Sequence, residues 1–145
     1  IGDFMKTSQS QYGLGDGATR FYYYSTSPEK YTCDMMEYYG VSNFDGNYGR
    51  KLFYEARGYM VEECYSQATD NKVRHGFSLA DYKAEIDAGH PVMISITGHS
   101  MVGFGYDGNK ILIRDTWDSD PDNVYTMPWG VVTMVWNYVL FILFI

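Results

Sequence analysis

A histidine and an aspartate lie on two successive apolar stretches in the second half of the sequence. His99 stands between "PVMISITG" and "SMVGFGYD", and Asp115 lies within "KILIRDTWD". An imidazole exchanges protons near neutral pH, and a carboxylate beside it fixes its tautomer and stabilises the imidazolium. The two residue types therefore predict the base and the orienting residue of a nucleophilic catalytic site, provided that the fold brings them together.

The tripeptide Asp107-Gly108-Asn109 separates these stretches and is a strong signal for a hairpin turn. Around such a turn the strands run antiparallel, and positions 99 and 115 lie nearly opposite each other. We therefore expect His99 and Asp115 to be near neighbours across the two strands. The spacing alone also fits a structural histidine at the start of a strand and an aspartate that begins a turn.

A thiol is the nucleophile that would complete this chemistry, and the chain has two cysteines, Cys33 and Cys64. A helix start and a nearby imidazolium lower the pKa of a thiol. Cys33 is near a predicted helix start, for which Thr32 is one of two candidate N-caps. Cys64 lies in a predicted strand, which is a poor place for a nucleophile. The two residues could equally form a disulfide in an oxidising compartment or remain inert thiols. The sequence leaves these alternatives open.

The composition limits the classes of protein to consider. Hydrophobic residues make up 46% of the 145 residues and charged residues 20%, which predicts one domain with a packed core. The formal charge of -7 argues against a nucleic-acid partner, because binding a polyanion requires clustered lysine and arginine. Fifteen tyrosines and fifteen glycines, with few lysines, favour a secreted or cell-surface protein.

The C-terminal run "GVVTMVWNYVLFILFI" is interrupted by Asn137 and is shorter than the ~20 apolar residues that a spanning helix needs. Its content of valine, isoleucine, phenylalanine and tyrosine favours buried strands instead. We therefore expect no membrane span. The chain begins without Met and without a recognisable signal peptide, which favours a processed product or a piece of a longer protein.

Helices are predicted in the first part of the chain. In "SPEKYTCDMMEYYG", Ser27 is the predicted N-cap, Pro28 the first helical residue and Gly40 the residue just beyond the end. A second helix is predicted over "YGRKLFYEARG", with Gly58 as its stop. The predicted apolar face of that helix comprises Leu52, Phe53 and Ala56.

Strands dominate the rest. One strand, "YMVEECY", precedes a third helix, "LADYKAEIDAG", for which Ser78 and Asp81 form a capping box and Gly89 is the stop. The strands that follow are "PVMISIT", "SMVGFGYD", "KILIRDTW", "TMPWGVVTMVW" and "YVLFILFI". The pattern predicts the α+β class, with helices followed by an antiparallel β-sheet.

Metal binding is not expected. The acidic segment "DSDPDN" alternates carboxylates as calcium loops do, but its sixth position is not glycine and position 129, where a bidentate glutamate would stand, is tryptophan. His75 and His90 have no cysteine or carboxylate partner at metal-ligand spacing. We therefore expect no metal and no cofactor.

The segment from Ser78 to Asp118 resembles the second half of the papain-fold cysteine peptidases of the bacteriocin-processing type and their secreted relatives. In that pattern a helix ends in "aG-x-PV", a strand leads to "GH", the next strand reads "vvGYd", and a further strand ends in aspartate. This chain has "DAGHPV", "TGHSMVGFGYD" and "ILIRDTWD" in the same order. The resemblance implies a papain-like half-domain and a peptide or protein substrate, with His99 as general base and Asp115 as its orienting residue.

The chain departs from this family at the nucleophile. In the family a cysteine opens the first long helix and is preceded by a glutamine that helps to form the oxyanion hole, whereas Gln9 and Gln11 are distant from Cys33. The expectation is therefore that residues 1–145 form a single peptidase-like domain, the C-terminal part of a longer chain. Its nucleophile would lie on a missing N-terminal segment or be lost, so that this chain alone would be an incomplete or inactive enzyme.

An alternative function is a non-catalytic secreted module for interaction or self-assembly. The uncertain nucleophile and the tyrosine-rich composition favour it, as does "YVLFILFI", whose strand edge could pair with another chain. The expected binding partner is thus a peptide or protein substrate, the protein's own N-terminal segment, or a second copy of the chain.

Overall fold

The structure is a computed structural model that describes residues 1–96, 98–115, 117, 119–120, 122–130 and, for the backbone, 139–144. This part of the chain contains helices and a run of antiparallel strands, so the predicted α+β class is confirmed. The helices are α1 (Gly2–Met5), α2 (Cys33–Tyr38), α3 (Gly46–Glu55) and α4 (Leu79–Asp87). The strands are β1 (Tyr31–Thr32), β2 (Glu63–Ala68), β3 (Val92–Ile96), β4 (His99–Asp107), β5 (Lys110–Arg114), β6 (Tyr125–Pro128) and β7 (Val139–Phe144).

The described residues divide into two compact units. The first unit contains residues 1–24 and 30–66 with the end of β7, and the second contains residues 25–29 and 67–130 with the start of β7. The first unit includes α1 to α3, and the second includes α4 and the antiparallel strands β3 to β6.

Helix α2 begins later than predicted. The cap is Thr32, whose hydroxyl accepts the N–H of Met35 at 3.2 Å. The predicted cap, Ser27, instead accepts the N–H of Glu29 in a local turn. The prediction from Ser27 was wrong because Tyr31 and Thr32 pair with β2 as a short strand, which holds the backbone extended just before the helix.

Helix α3 begins at a buried carboxylate. Asp45 caps the helix by accepting the N–H groups of Asn47 and Tyr48 through Oδ1, at 2.8 and 2.9 Å. Its Oδ2 accepts the N–H of Tyr22 at 2.7 Å, which ties an extended segment to the start of the helix. The side chain is 1% exposed, and burial raises the pKa of Asp45 to about 6, although the three hydrogen bonds favour the charged form.

The predicted apolar face of α3 was wrong. Leu52 and Ala56 are exposed, while the buried positions lie nearer the start of the helix, at Gly46, Asn47 and Gly49. A Cβ at Gly49 would collide with the carbonyl of Phe4 in α1. The burial pattern was missed because close backbone approach at a glycine leaves no hydrophobic signal in the sequence.

Helix α4 follows its prediction closely. The hydroxyl of Ser78 accepts the N–H of Asp81 at 3.2 Å, and the Asp81 carboxylate accepts the N–H of Ser78 at 2.8 Å, so the capping box is confirmed. The helix ends before Gly89, whose φ is +87°. Tyr82 is fully buried and donates to the carbonyl of Gly105 at 3.0 Å, which fixes α4 on strand β4.

Strands β3, β4, β5 and β6 pair in that order, each antiparallel to the next. The hairpin between β4 and β5 closes at the pair Asp107 and Lys110, as the turn signal predicted. A β-bulge lies between Gly103 and Gly105 and shifts the register of the hairpin. The buried side chains of this sheet form its core: Val92, Ile94, Met101, Ile111 and Ile113.

The C-terminal strands are seen in part. Of the predicted strand "TMPWGVVTMVW" the structure shows β6, and residues 131–138 lie outside the described part of the chain. The last predicted strand is present as β7. None of the helices that the structure describes is both long and apolar enough to cross a membrane.

Candidate active site: an imidazole–carboxylate pair on a hairpin

The β4–β5 hairpin brings His99 and Asp115 together. His99 is the first residue of β4 and pairs with Ile96 of β3, and Asp115 directly follows β5. The pairing of Val102 with Arg114 places Asp115 across from Met101, two residues from His99. Side chains two residues apart on a strand share a face, so the carboxylate lies diagonally beside the imidazole.

The two side chains are joined by a short hydrogen bond, 2.7 Å between Nε2 of His99 and Oδ1 of Asp115. The same oxygen accepts the backbone N–H of Trp117 at 2.9 Å. Because a carboxylate only accepts hydrogen bonds, the proton of this bond belongs to Nε2 of His99. The Nδ1 atom of the neutral ring then carries the lone pair that can accept a proton from a nucleophile.

Trp117 covers the imidazole. Its indole ring stacks on the ring of His99 with centroids 3.8 Å apart and an interplanar angle of 21°. The side chain of His99 is 6% exposed, whereas Trp117 is 70% exposed. An aromatic face next to an imidazolium stabilises its charge and limits the access of water to the pair. Sequence reasoning missed this role, although Trp117 stands only two residues after Asp115 in the sequence.

Neither cysteine of the chain has a free thiol. Cys33 and Cys64 form a disulfide with a Cα–Cα distance of 5.5 Å, and Cys33 is 3% exposed. Cys33 is the first residue of α2, the position at which a helix favours a thiolate, but a sulfur in a disulfide is not a nucleophile. Of the alternatives that the sequence left open, the structure therefore shows the disulfide.

No three histidine, cysteine, aspartate or glutamate side chains within the described ranges are grouped so as to hold a metal ion. In the acidic segment, Oδ1 of Asp120 accepts the N–H of Asp122 at 2.9 Å, while Asp118 and Pro121 lie outside the described residues. His90 pairs with a carboxylate that the sequence did not indicate: its Nδ1 lies 3.0 Å from Oε2 of Glu85. The pair sits at the end of α4, where the turn brings residues five apart into contact.

The arrangement at His99 can move one proton in each direction. Nδ1 can take a proton from a thiol, and the resulting imidazolium, held by Asp115 and stacked on Trp117, can return that proton to a leaving group. A general base and its orienting residue in nucleophilic catalysis have the same chemistry. Among the described residues no free thiol accompanies it.

One family model matches the chain. The model of the Peptidase C39-like family matches residues 16–141, which include the hairpin with His99 and Asp115 as well as both cysteines. No curated protein and no solved structure matches the chain. The match covers most of the sequence, and the chain belongs to the Peptidase C39-like family.

Proposed function

We propose that this chain supplies the general base and its orienting residue to a papain-like cysteine peptidase. The observation that carries the proposal is the 2.7 Å hydrogen bond between His99 and Asp115 in a member of a peptidase family. Nδ1 of His99 takes the proton of the thiol, and the thiolate attacks the carbonyl carbon of the scissile peptide bond. The imidazolium protonates the departing amine, and His99 then activates the water that hydrolyses the thioester.

The nucleophile in this proposal is neither Cys33 nor Cys64. Both sulfur atoms are committed to one disulfide, and Cys33 is buried. The proposal therefore treats residues 1–145 as the C-terminal part of a longer peptidase, in which a preceding segment provides the thiol. The substrate class is a peptide or protein, as family membership indicates.

The proposed location is outside the cell or on its surface. Disulfides persist in oxidising compartments and are rare in the cytosol, so the bond between Cys33 and Cys64 supports export. The tyrosine-rich, lysine-poor composition is in line with this location.

The hydrogen bond at the site gives the first prediction. In protein labelled with ¹⁵N-histidine, the Nε2–H proton of His99 should be visible by NMR and exchange slowly with water. An Asp115→Ala change should speed that exchange about 10- to 100-fold, since a hydrogen bond to a charged group contributes about 1.5–3 kcal/mol. An Asp115→Asn change should largely keep the protection, because one oxygen accepts from both Trp117 and His99, and an amide oxygen held by the Trp117 N–H can still do so.

The matched control is Asp120→Asn, which removes an exposed carboxylate from the nearby loop and should leave the His99 signal unchanged. A protected Nε2–H in the Asp115→Ala variant would show that Asp115 does not orient the imidazole. If the His99 Nε2–H loses its protection in both Asp115→Asn and Asp115→Ala, the negative charge of Asp115, and not the shared oxygen atom, holds the imidazole ring.

The second prediction concerns the thiols. A cysteine-directed affinity probe should not label the oxidised native protein at any pH between 5 and 9. After reduction with dithiothreitol, labelling of Cys33 should have the same pH profile in wild type and in a His99→Ala variant, since the proposal assigns the thiol that His99 deprotonates to a preceding segment. Mass spectrometry of the labelled peptides identifies the modified residue. Labelling of Cys33 near neutral pH that disappears in His99→Ala would make Cys33 the nucleophile and overturn this part of the proposal.

A second candidate is a non-catalytic module for interaction or self-assembly. The observation that favours it is that the described part of the chain contains no free thiol. Under this function an Asp115→Ala change would leave association intact, whereas in a peptidase it would abolish hydrolysis.

A further inference from the structure

A solvent-open pocket adjoins the candidate catalytic pair. It has a volume of about 390 Å³ and is lined by Asp115, Trp117, Ser119 and Tyr125. Trp117 is 70% exposed and Tyr125 is 41% exposed, although aromatic side chains bury a large apolar area when they can. Two exposed aromatic rings beside a candidate catalytic histidine indicate a surface that is covered when substrate binds.

The chemistry of the pocket favours a cation. His99 stacks on one face of the Trp117 indole. The other face of the indole does not contact the imidazole. The faces of tryptophan and tyrosine attract ammonium and guanidinium groups, and the carboxylate of Asp115 and the hydroxyl of Ser119 add acceptors. An apolar side chain fits less well, because it would remove these acceptors from water without replacing their hydrogen bonds.

The described charged side chains of the pocket and of the loop that continues from it are carboxylates. Among the described residues that line it there is no lysine or arginine. The loop that continues from Ser119 carries the exposed residues Asp120 and Asp122, and the chain as a whole has a formal charge of -7. Such a field attracts a basic side chain and disfavours an acidic one.

The pocket is close to the place where the leaving-group side of the scissile bond would lie. If His99 acts as proposed above, its imidazolium gives a proton to the departing amine, and the nitrogen of that amine must come within hydrogen-bond distance of the ring. The residue that begins with this nitrogen therefore lies close to His99. Trp117 both stacks on His99 and lines the pocket, so the pocket lies within reach of that residue's side chain.

We propose that the pocket formed by Asp115, Trp117, Ser119 and Tyr125 binds an arginine or lysine side chain of the peptide substrate, at the first residue on the leaving-group side of the scissile bond. This inference rests on the proposed function. It adds a preference for a basic residue to the peptidase site and assigns Trp117 and Tyr125 to substrate selection.

The test measures binding of the leaving half of a substrate, which needs no nucleophile. The probes are arginyl-alanine amide and citrullyl-alanine amide, which differ only in that citrulline is uncharged. They are titrated into the oxidised native protein, and the shifts of the Trp117 indole N–H and of His99 Nδ1 are followed by NMR. Arginyl-alanine amide should bind about tenfold more tightly than citrullyl-alanine amide. The free amine of the arginine peptide should shift the His99 Nδ1 signal.

The matched variants are Tyr125→Leu, which removes one ring of the pocket, and Phe104→Leu, which removes a part-exposed ring of the same unit outside it. Tyr125→Leu should lower the preference for arginine over citrulline to about twofold, and Phe104→Leu should leave it tenfold. Raising the salt concentration should weaken binding of the arginine peptide more than binding of the citrulline peptide, which carries one positive charge fewer.

Three results would overturn the inference. The first is equal affinity for the arginine and citrulline peptides, and the second is tighter binding of phenylalanyl-alanine amide than of the arginine peptide. The third is selective binding of arginine without a shift of His99 Nδ1, which would place the basic side chain away from the leaving group. Any of these results with the slow exchange of the His99 Nε2–H intact refutes the pocket assignment alone, whereas lost protection of that proton in wild type refutes the proposed function.

Discussion

Replacing Cys33 and Cys64 together by alanine is expected to lower the free energy of unfolding of the first unit by about 3 to 4 kcal/mol. The disulfide joins residues 31 positions apart, and without it the unfolded chain has more conformational freedom to lose on folding. The measurement is urea denaturation at fixed pH, followed by near-ultraviolet circular dichroism of the tyrosines, for the oxidised wild type and the double variant.

Two comparisons test whether the cross-link is the cause. The single variant Cys33→Ala should unfold at nearly the same urea concentration as the double variant, because a lone cysteine cannot form the bond. Wild type in dithiothreitol should move toward the same midpoint. If the double variant and the oxidised wild type share a midpoint, the disulfide does not stabilise the unit.

The second large effect is a pH dependence of stability that arises at Asp45. Burial raises the pKa of this carboxyl to about 6 from an ordinary value of 3.8, so the folded state binds the proton more tightly than the unfolded chain does. The contribution of Asp45 is therefore fully present below about pH 4 and is lost as the pH rises through about 6. The shift corresponds to about 3 kcal/mol between pH 4 and pH 8.

An Asp45→Asn variant removes this titration. In the variant, the amide oxygen can still accept the N–H groups of Asn47 and Tyr48. The amide nitrogen then faces the N–H of Tyr22, and because both are donors, this contact lowers stability at every pH. The expected result is that wild type loses about 3 kcal/mol of stability relative to the variant between pH 4 and pH 8. The control Asp16→Asn, at an exposed position, should run parallel to wild type. Parallel curves for wild type and Asp45→Asn would show that the Asp45 carboxyl keeps its ordinary pKa in the fold.

The pairing of His99 with Asp115 could be predicted from the sequence because it depends on local signals. The turn at Asp107-Gly108-Asn109 sets the hairpin, and an antiparallel pairing of two apolar stretches then fixes which residues meet. The β-bulge between Gly103 and Gly105 alters the register, and a diagonal contact across the strands tolerates that shift.

Other parts of the fold depend on contacts between distant segments and could not be predicted. Ser27 and Pro28 are favourable starts for a helix, but the pairing of Tyr31 and Thr32 with β2 decides where α2 begins. The bond between Cys33 and Cys64 likewise requires β2 to lie beside the start of α2, a proximity that spacing along the chain does not reveal.

Residue 117 makes two contributions to the site through different parts of the residue. Its backbone N–H holds the Asp115 carboxylate, and its side chain forms a wall of the pocket. The N–H that holds the carboxylate belongs to the main chain, which every residue except proline provides. The indole that forms the wall of the pocket belongs to the side chain alone. A different side chain at position 117 would therefore change the pocket wall and the aromatic face on His99, while the main-chain N–H that holds Asp115 would stay.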